Sequence, residues 1–326
     1  MTHEVLRIDA ERAVEEICDG LRELVLRRLR KRGAVLGVSG GIDSSVATAL
    51  CARALGAERV LAILMPESES SDDTLELSRL LTSHLGVTEV LEDITPLLDA
   101  TGCYRRRDDA IAEVVPEFGQ GWKAKLVLPS VLEGNRLPVF SIVVESPAGE
   151  QRKERLSASA YRAVVAATNF KQRSRKMLEY YHADRLDYAV IGTPNRLEYD
   201  QGFFVKGGDG AADVKPLAHL YKTQVYALAE HLGIPEEIRS RPPTTDTYSL
   251  PQSQEEFYFS VPYDVLDLCM YAVNNGIEAA RLTVATGLSE EDVTRVYRDI
   301  ESKRRATAAL HMPPLLVTAV PEIGAR

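Results

Sequence analysis

The sequence predicts an α/β protein: a doubly wound parallel sheet flanked by helices, with an inserted β-hairpin and a helical carboxyl-terminal region. Short apolar strand candidates (AVLGV at 34–38, RVLAILMP at 59–66, DYAVIGT at 187–193) alternate with helical patterns, as in parallel sheets covered on both faces. The 326 residues are 45% hydrophobic and 27% charged, which excludes disorder as the main state. A glycine-rich loop lies between the first strand and the helix after it, where doubly wound sheets bind ligands.

In chain order, Val14, Ile17, Leu21, Leu24 and Leu29 recur at helical spacing over residues 8–32, so an amphipathic helix opens the chain. The strand at 34–38 leads through SGGIDS into SSVATALCARAL, a helix closed by Gly56, and then into the second strand. Asp72 to Leu85 is helical with Gly86 placed as its cap, and Glu89 to Ile94 is a third strand. Residues 101–159 break the rhythm with Gly, Pro and charge, and LPVFSIVVESPAGEQRKERLS within them predicts a β-hairpin turning at Pro147, Ala148 and Gly149. Tyr161 to Ala183 is a helix, Asp187 to Thr193 returns to the sheet, and Tyr221 to Leu232 is a helix stopped by Gly233 and Pro235. RPPTTDTYSLPQSQ is a proline-rich loop, and Asp264 to about Leu310 is helical.

Lys and Arg number 39 against 48 Asp and Glu, a formal charge of −9 that argues against a general nucleic-acid binder. No apolar stretch approaches the roughly 18 residues of a membrane span, and the amino terminus lacks the apolar core of a secretory signal, so a cytoplasmic protein without a membrane partner is expected. Cys18, Cys51, Cys103 and Cys269 are too scattered for a disulfide scaffold and read as buried thiols. LTVATGLSEEDVTRVYRDIESK can be read as a helix-turn-helix, but its second helix opens with Glu290, Glu291 and Asp292, which would repel phosphates.

The sharpest local signal is GVSGGIDSS, Gly37 to Ser45. Glycines let backbone N–H groups approach an anion, and the helix amino terminus adds its positive dipole end, so Gly37, Ser39, Gly40, Gly41 and Ser44 form a phosphate cradle. A Walker A loop would need a lysine that is absent. Ser39, Gly40, Gly41, Asp43 and Ser44 instead spell SGGxDS, the pyrophosphate-loop pattern of ATP-dependent adenylating enzymes.

Downstream, GTPNRLEYDQGFFVKGGDGAADVKPLAHLYKTQV resembles the second half of the ammonia-dependent NAD synthetases; NFKQRSR (Asn169 to Arg175) and PPTTD (Pro242 to Asp246) resemble two further motifs of that family. The resemblance implies one NAD synthetase-like domain over residues 1–326, with an adenine nucleotide alpha-hydrolase-like fold. It implies ATP as co-substrate, Mg2+ held by Asp43 and Glu198, and a triphosphate contact from Lys222. Thr193 and Thr244 match ATP-contacting threonines; Arg173, Lys206 and Asp213 match positions that contact deamido-NAD, with Lys303 retained near the carboxyl end and Asp209 supporting in the GDG loop. The family's reaction needs deamido-NAD and ammonia, from solution or from a separate ammonia-supplying protein, since no glutaminase segment is expected ahead of the loop. A homodimer is implied as well.

Three departures mark this chain: Ser302 stands where family members often carry histidine, SESSDD replaces a loop that holds arginine in some members, and the segment before NFKQRSR is long. The hairpin over about Leu137 to Leu156 needs a surface to cover, as a lid on the acid-substrate side or as a dimer contact. Lys171, Arg173, Arg175 and Lys176 read either as a solvated helix face or as a ligand-binding run. Two rival functions stay open: a ligase of the same fold amidating another carboxylate, and a non-catalytic adenine-nucleotide sensor.

Overall fold

The computed structural model describes residues 2–128, 131–133, 140–243, 247–259 and 261–320. Its centre is a four-stranded parallel sheet built from β1 (Ala34–Gly37), β2 (Val60–Leu64), β3 (Thr88–Leu91) and the later β7 (Ala189–Val190), in the order β3-β2-β1-β7. Side chains alternate across a strand, and the two faces therefore have separate cores. Ala34, Leu36, Val60, Ala62 and Leu64 face α1 (Ala10–Leu21), α2 (Ile42–Leu55) and α3 (Asp72–Leu85). Val35, Leu61, Ile63 and Val190 face α4 (Thr95–Thr101), α5 (Cys103–Ala112) and the 29-residue α6 (Ala158–Leu186). The doubly wound sheet expected from the strand pattern is thus present, and strand order reverses between β1 and β7.

Local chemistry sets the element boundaries. α1 starts at Asp9, whose side chain accepts Arg12 N, and runs on as a π-helical stretch over Arg22–Arg28. α2 ends at Gly56 (φ +95°) and α3 at Gly86 (φ +64°), both in the left-handed range where glycine is favoured. All four cysteines are buried and free, and burial pushes the Cys51 thiol up to about 12.

The 101–159 region holds more structure than the sequence suggests. α5 occupies its first part, and a three-stranded antiparallel sheet follows: β4 (Lys123–Val127), β5 (Ser141–Glu145) and β6 (Gln151–Arg155), in that order. The hairpin is β5–β6, turning through Pro147–Gly149; its expected start, Leu137 to Val139, lies outside the described residues. The surface it needs is supplied by the chain itself, because Ile142 and Val144 pack with Leu126, Ile111 of α5, and Ala160 and Val164 of α6. The face that carries Ile142 and Val144 is thus covered within the chain.

Beyond β7, α7 (Arg196–Gln201) buries Leu197 in the carboxyl-terminal helical core, α8 (Lys222–His231) packs with α1 and α2 on the sheet, and α9 (Glu236–Arg239) follows. α10 (Tyr263–Asn274), the single turn α11 (Thr283–Thr286) and α12 (Glu290–Thr307) build a separate helical core around Leu266, Leu268, Val293, Val296 and Ile300. α12 is capped by Ser289, and its apolar face is consumed by that core, consistent with a helical wall. Among the described residues, no helix is long and apolar enough to cross a membrane.

Candidate active site

A cavity of about 760 Å³ opens at the carboxyl edge of the sheet, beside the β1–β7 crevice where strand order reverses. Its floor is the loop from β1 to α2. Gly40 takes φ +67°, and a Cβ there would lie 2.8 Å from Leu77 Cβ and 3.1 Å from Thr74 O, so only glycine fits. A Cβ at Gly37 would come within 2.9 Å of Met65 Cε and 3.1 Å of Glu179 Oε1. Ser44 Oγ donates to Gly41 O at 3.0 Å and accepts weakly from Ser39 N at 3.4 Å, which tightens the turn onto the first turn of α2. Ser39, Gly41, Asp43 and Ser44 line the cavity over a helix amino terminus, the arrangement that receives phosphate oxygens.

Four side chains from three elements meet there. Asp43, in the first turn of α2, makes an ion pair with Lys222 at the start of α8, and Asn195 Nδ2 donates to Asp43 Oδ1 at 3.0 Å. Asn195 is fully buried and caps α7: its Oδ1 accepts from Glu198 N at 3.2 Å, while Glu198 Oε2 accepts from Asn195 N at 3.1 Å. Asn195 therefore holds Asp43 and Glu198 in one frame, a role the sequence reading missed; the N-x-x-E spacing of a capping box was the signal available. Lys222 is held in turn by Asp267 of α10, whose carboxylate accepts Lys222 N at 3.2 Å and Thr223 N at 2.8 Å.

The electrostatics are those of a site built for a cation and an anion together. Burial and the neighbouring Asp43 carboxylate raise the Glu198 pKa. Burial works against the Lys222 ammonium, but Asp43 and Glu198 outweigh it and its pKa is raised. Burial lifts Asp267 to about 6 against the two N–H donors that favour its charge. Two carboxylates with a buried lysine between them fit a hard divalent cation that keeps phosphate and water among its ligands. No cluster of three or more His, Cys, Asp or Glu that could hold a metal exists among the described residues.

The other expected residues divide. Thr193, Arg173, Lys206 and Asp209 line the same cavity. Asp209 Oδ1 accepts Val205 N at 2.7 Å and so shapes the GDG loop, and burial raises its pKa. Arg173 Nε donates to Lys206 O at 3.3 Å, and Lys206 Nζ reaches Ala309 O at 3.1 Å. Asp213 and Lys303 stand outside the cavity lining: Asp213 Oδ2 accepts Val190 N at 2.8 Å, and Lys303 Nζ donates to Tyr258 O at 2.6 Å beside Asp299. Thr244 lies outside the described residues.

The solvated-face reading of the 171–176 run is overturned for two of its members. Lys171 is 1% exposed and pairs with Glu67 at 2.8 Å and Glu69 at 2.7 Å, while Lys176, also buried, pairs with Glu179 at 2.6 Å in the cavity wall. α6 turns these two cations inward, and only buried carboxylates opposite them make that tolerable.

Asn195→Ala removes both the tether on Asp43 and the α7 cap. On the expectation from the resemblance that Asp43 and Glu198 hold Mg2+, the Mg2+ concentration for half-maximal turnover should rise about tenfold or more, the scale of losing a supporting contact to a metal ligand. Isothermal titration of Mg2+ into protein with a non-hydrolysable ATP analogue checks it; unchanged metal affinity would remove Asn195 from this role.

Comparison with known proteins follows the same line. The NAD synthase family model matches residues 13–115 and 141–307. The chain is 59% identical over 320 residues to the NH(3)-dependent NAD(+) synthetase of Rhizobium meliloti, covering 98% of this chain and 96% of that protein. Among solved structures, the NMN synthetase of Francisella tularensis superposes with TM-score 0.65 at 21% identity (95% of this chain, 99% of that one). The NH3-dependent NAD synthetase of Campylobacter jejuni does so with TM-score 0.62 at 23% identity, covering 95% and 100%. At such identities these two speak for the fold, whereas the family match and the 59% relative speak for descent: this chain belongs to the NAD synthase family.

Proposed function

We propose that the chain is an ATP-dependent amide ligase that makes NAD from deamido-NAD and ammonia. The observation that carries the reading is the Asp43–Asn195–Glu198–Lys222 constellation beside the SGGIDS cradle, in a chain 59% identical to an NH(3)-dependent NAD(+) synthetase. The nicotinate carboxylate oxygen attacks the α-phosphorus of ATP, the bond to the β-phosphate oxygen breaks, and pyrophosphate leaves. Ammonia then attacks the acyl carbon of the adenylate, AMP leaves, and nitrogen gives up a proton.

The protein's part is charge management and placement. The α2 amino terminus and the Ser39–Ser44 loop receive phosphate oxygens, and Lys222 stands ready to exchange its Asp43 partner for the triphosphate. Mg2+, held by Asp43 and Glu198, would neutralise triphosphate charge that the lysine alone cannot. Arg173 and Lys206 supply positive charge on the acid-substrate side. A cytoplasmic homodimer belongs to this reading as the family resemblance implies it, and sedimentation velocity tests the dimer.

Purified protein with ATP, Mg2+, ammonium and deamido-NAD should yield NAD, AMP and pyrophosphate in equal amounts; ADP and phosphate would sink the mechanism. Glutamine in place of ammonium should give no turnover. The mononucleotide half of deamido-NAD is the discriminating control, because a preference for it would move the substrate assignment within the fold.

The inserted sheet enters this scheme through Phe140. Its ring stacks on Tyr161 with centroids 3.5 Å apart, and both line the cavity. Glu179, by contrast, abuts the phosphate loop at Gly37. Tyr161 and Glu179 lie on one helix about 27 Å apart at a rise of roughly 1.5 Å per residue, so the Phe140 end is the far, acid-substrate end. Phe140→Ala should raise KM for deamido-NAD about tenfold, as loss of an aromatic pair with its buried area does, and leave KM for ATP within about twofold. Equal changes in both would refute that placement.

A further inference from the structure

We propose a second anion site behind α7, taking a phosphate-bearing small molecule between Arg196 and Lys215. α7 shows two faces: Glu198 reaches the catalytic cavity, while Arg196, Tyr199 and Asp200, three and four residues apart, border a separate cleft of about 600 Å³ on its other side. Lys215, His219, Arg304 and His311 complete the charged and titratable lining.

Charge in this cleft does not balance. Asp200 is its one carboxylate, and that group is spent on Arg304, which donates to both Asp200 oxygens, at 2.5 and 2.7 Å. Arg196 and Lys215 face the cleft with no carboxylate partner among the described residues. Arg196 Nε is buried without any hydrogen-bond partner there, and its guanidinium lies 5.1 Å from the Tyr221 ring centroid. Because that Nε is sealed from the cleft, it is the terminal guanidinium nitrogens that a ligand there would meet. Lys215 Nζ spends one donor on Gly210 O at 2.7 Å and sits 4.8 Å from the Tyr199 ring, which leaves further N–H groups for a ligand. Burial and the Arg196 charge lower the His219 pKa against a smaller opposing effect of Glu16, which is itself paired with Arg12 at 2.8 Å. That leaves two cations without an ion-pair partner among the described residues, Lys215 feeling Asp209 and Lys176 beyond the cleft, and two histidines, gathered on a chain of net charge −9.

A guanidinium fork and an ammonium together match the oxygens of a phosphate monoester better than those of a planar carboxylate. The cleft exceeds a bare phosphate in size, so the remainder of the molecule has the Tyr199 and His311 rings to lie against; these two meet edge to face at 4.9 Å. None of these residues lines the catalytic cavity, and the inference stands apart from the ligase reading.

The test uses the full chain with its catalytic cavity filled by Mg2+ and a non-hydrolysable ATP analogue. Inorganic phosphate and glycerol 3-phosphate are titrated calorimetrically, and the His219 and His311 ring signals are followed by NMR. One additional site per chain is expected, with the His219 pKa moving up because a bound anion favours the imidazolium. Arg196→Gln should weaken phosphate at least tenfold, and Lys215→Gln by a similar factor. His311→Gln at the exposed rim, which leaves the buried groups untouched, should weaken glycerol 3-phosphate several-fold. No binding by about 10 mM phosphate overturns the proposal. So does equal affinity in Arg196→Gln, or succinate binding as tightly as glycerol 3-phosphate.

Discussion

Asp43→Asn and Glu198→Gln should each lower turnover at least about 100-fold while the protein stays folded, the scale on which loss of one electrostatic contact to a transition state is felt. Both changes keep size and remove charge. Asn at 43 retains a side chain that can meet Asn195, and Gln at 198 retains an oxygen for Asn195 N, so the capping frame survives while the cation loses a ligand. The loss should be partly recovered at high Mg2+, since weakened metal affinity is repaired by mass action. Near-normal turnover in either variant at limiting Mg2+ would take that residue out of the metal site. Mn2+ bound with the ATP analogue, followed by electron paramagnetic resonance, gives a readout independent of turnover.

Lys171→Met should destabilise the fold by about 3–5 kcal/mol, the cost of stripping one partner from a buried ion pair. Glu67 is completely buried at its side chain and would keep two neutral donors, the Tyr104 hydroxyl at 2.6 Å and Glu69 N at 3.1 Å, but no cation. Glu69 would fall back on Arg107, at 2.6 Å. The consequences reach beyond one pair because this cluster joins the loop after β2, α5 and α6, and Lys171 also donates to Thr247 O at 3.0 Å. Urea unfolding measures the effect, and a loss under about 1 kcal/mol would contradict it. Lys171→Met combined with Glu67→Met should recover much of the loss, since removing both charges of a buried pair costs far less than removing one.

These buried charges also explain what was legible in the sequence. β1, β2 and β7 were readable because they are apolar on both faces, and α3 was bounded correctly because Gly86 stops it in the left-handed conformation. α5 was missed because its inward face, Cys103, Arg107, Ala110 and Ile111, places an arginine where periodicity requires an apolar residue. Arg107 is admitted there only by Glu69, 38 positions earlier, a partner that no local window contains. β4 was missed because KAKLV shows alternation over only five residues and is made a strand by pairing with β5. Of the site, the SGGIDS loop was visible as chemistry, and Glu198 and Lys222 through family resemblance. Asn195 and Asp267 were hidden, since their work consists of holding other residues and shows only once α7, α8 and α10 converge.

α6 carries Tyr161, Val165, Thr168, Asn169, Gln172, Arg173, Lys176 and Glu179 into one cavity along a single unbroken helix. Both halves of the reaction are therefore read off one rotational phase. A point substitution near Tyr161 alters one end of the cavity alone. Adding or deleting a single residue between them turns everything downstream by about 100° and moves Lys176 and Glu179 away from the phosphate loop together. Over its central stretch this helix can vary at its exposed positions, but neither at its inward cations, Lys171 and Lys176, nor in its length.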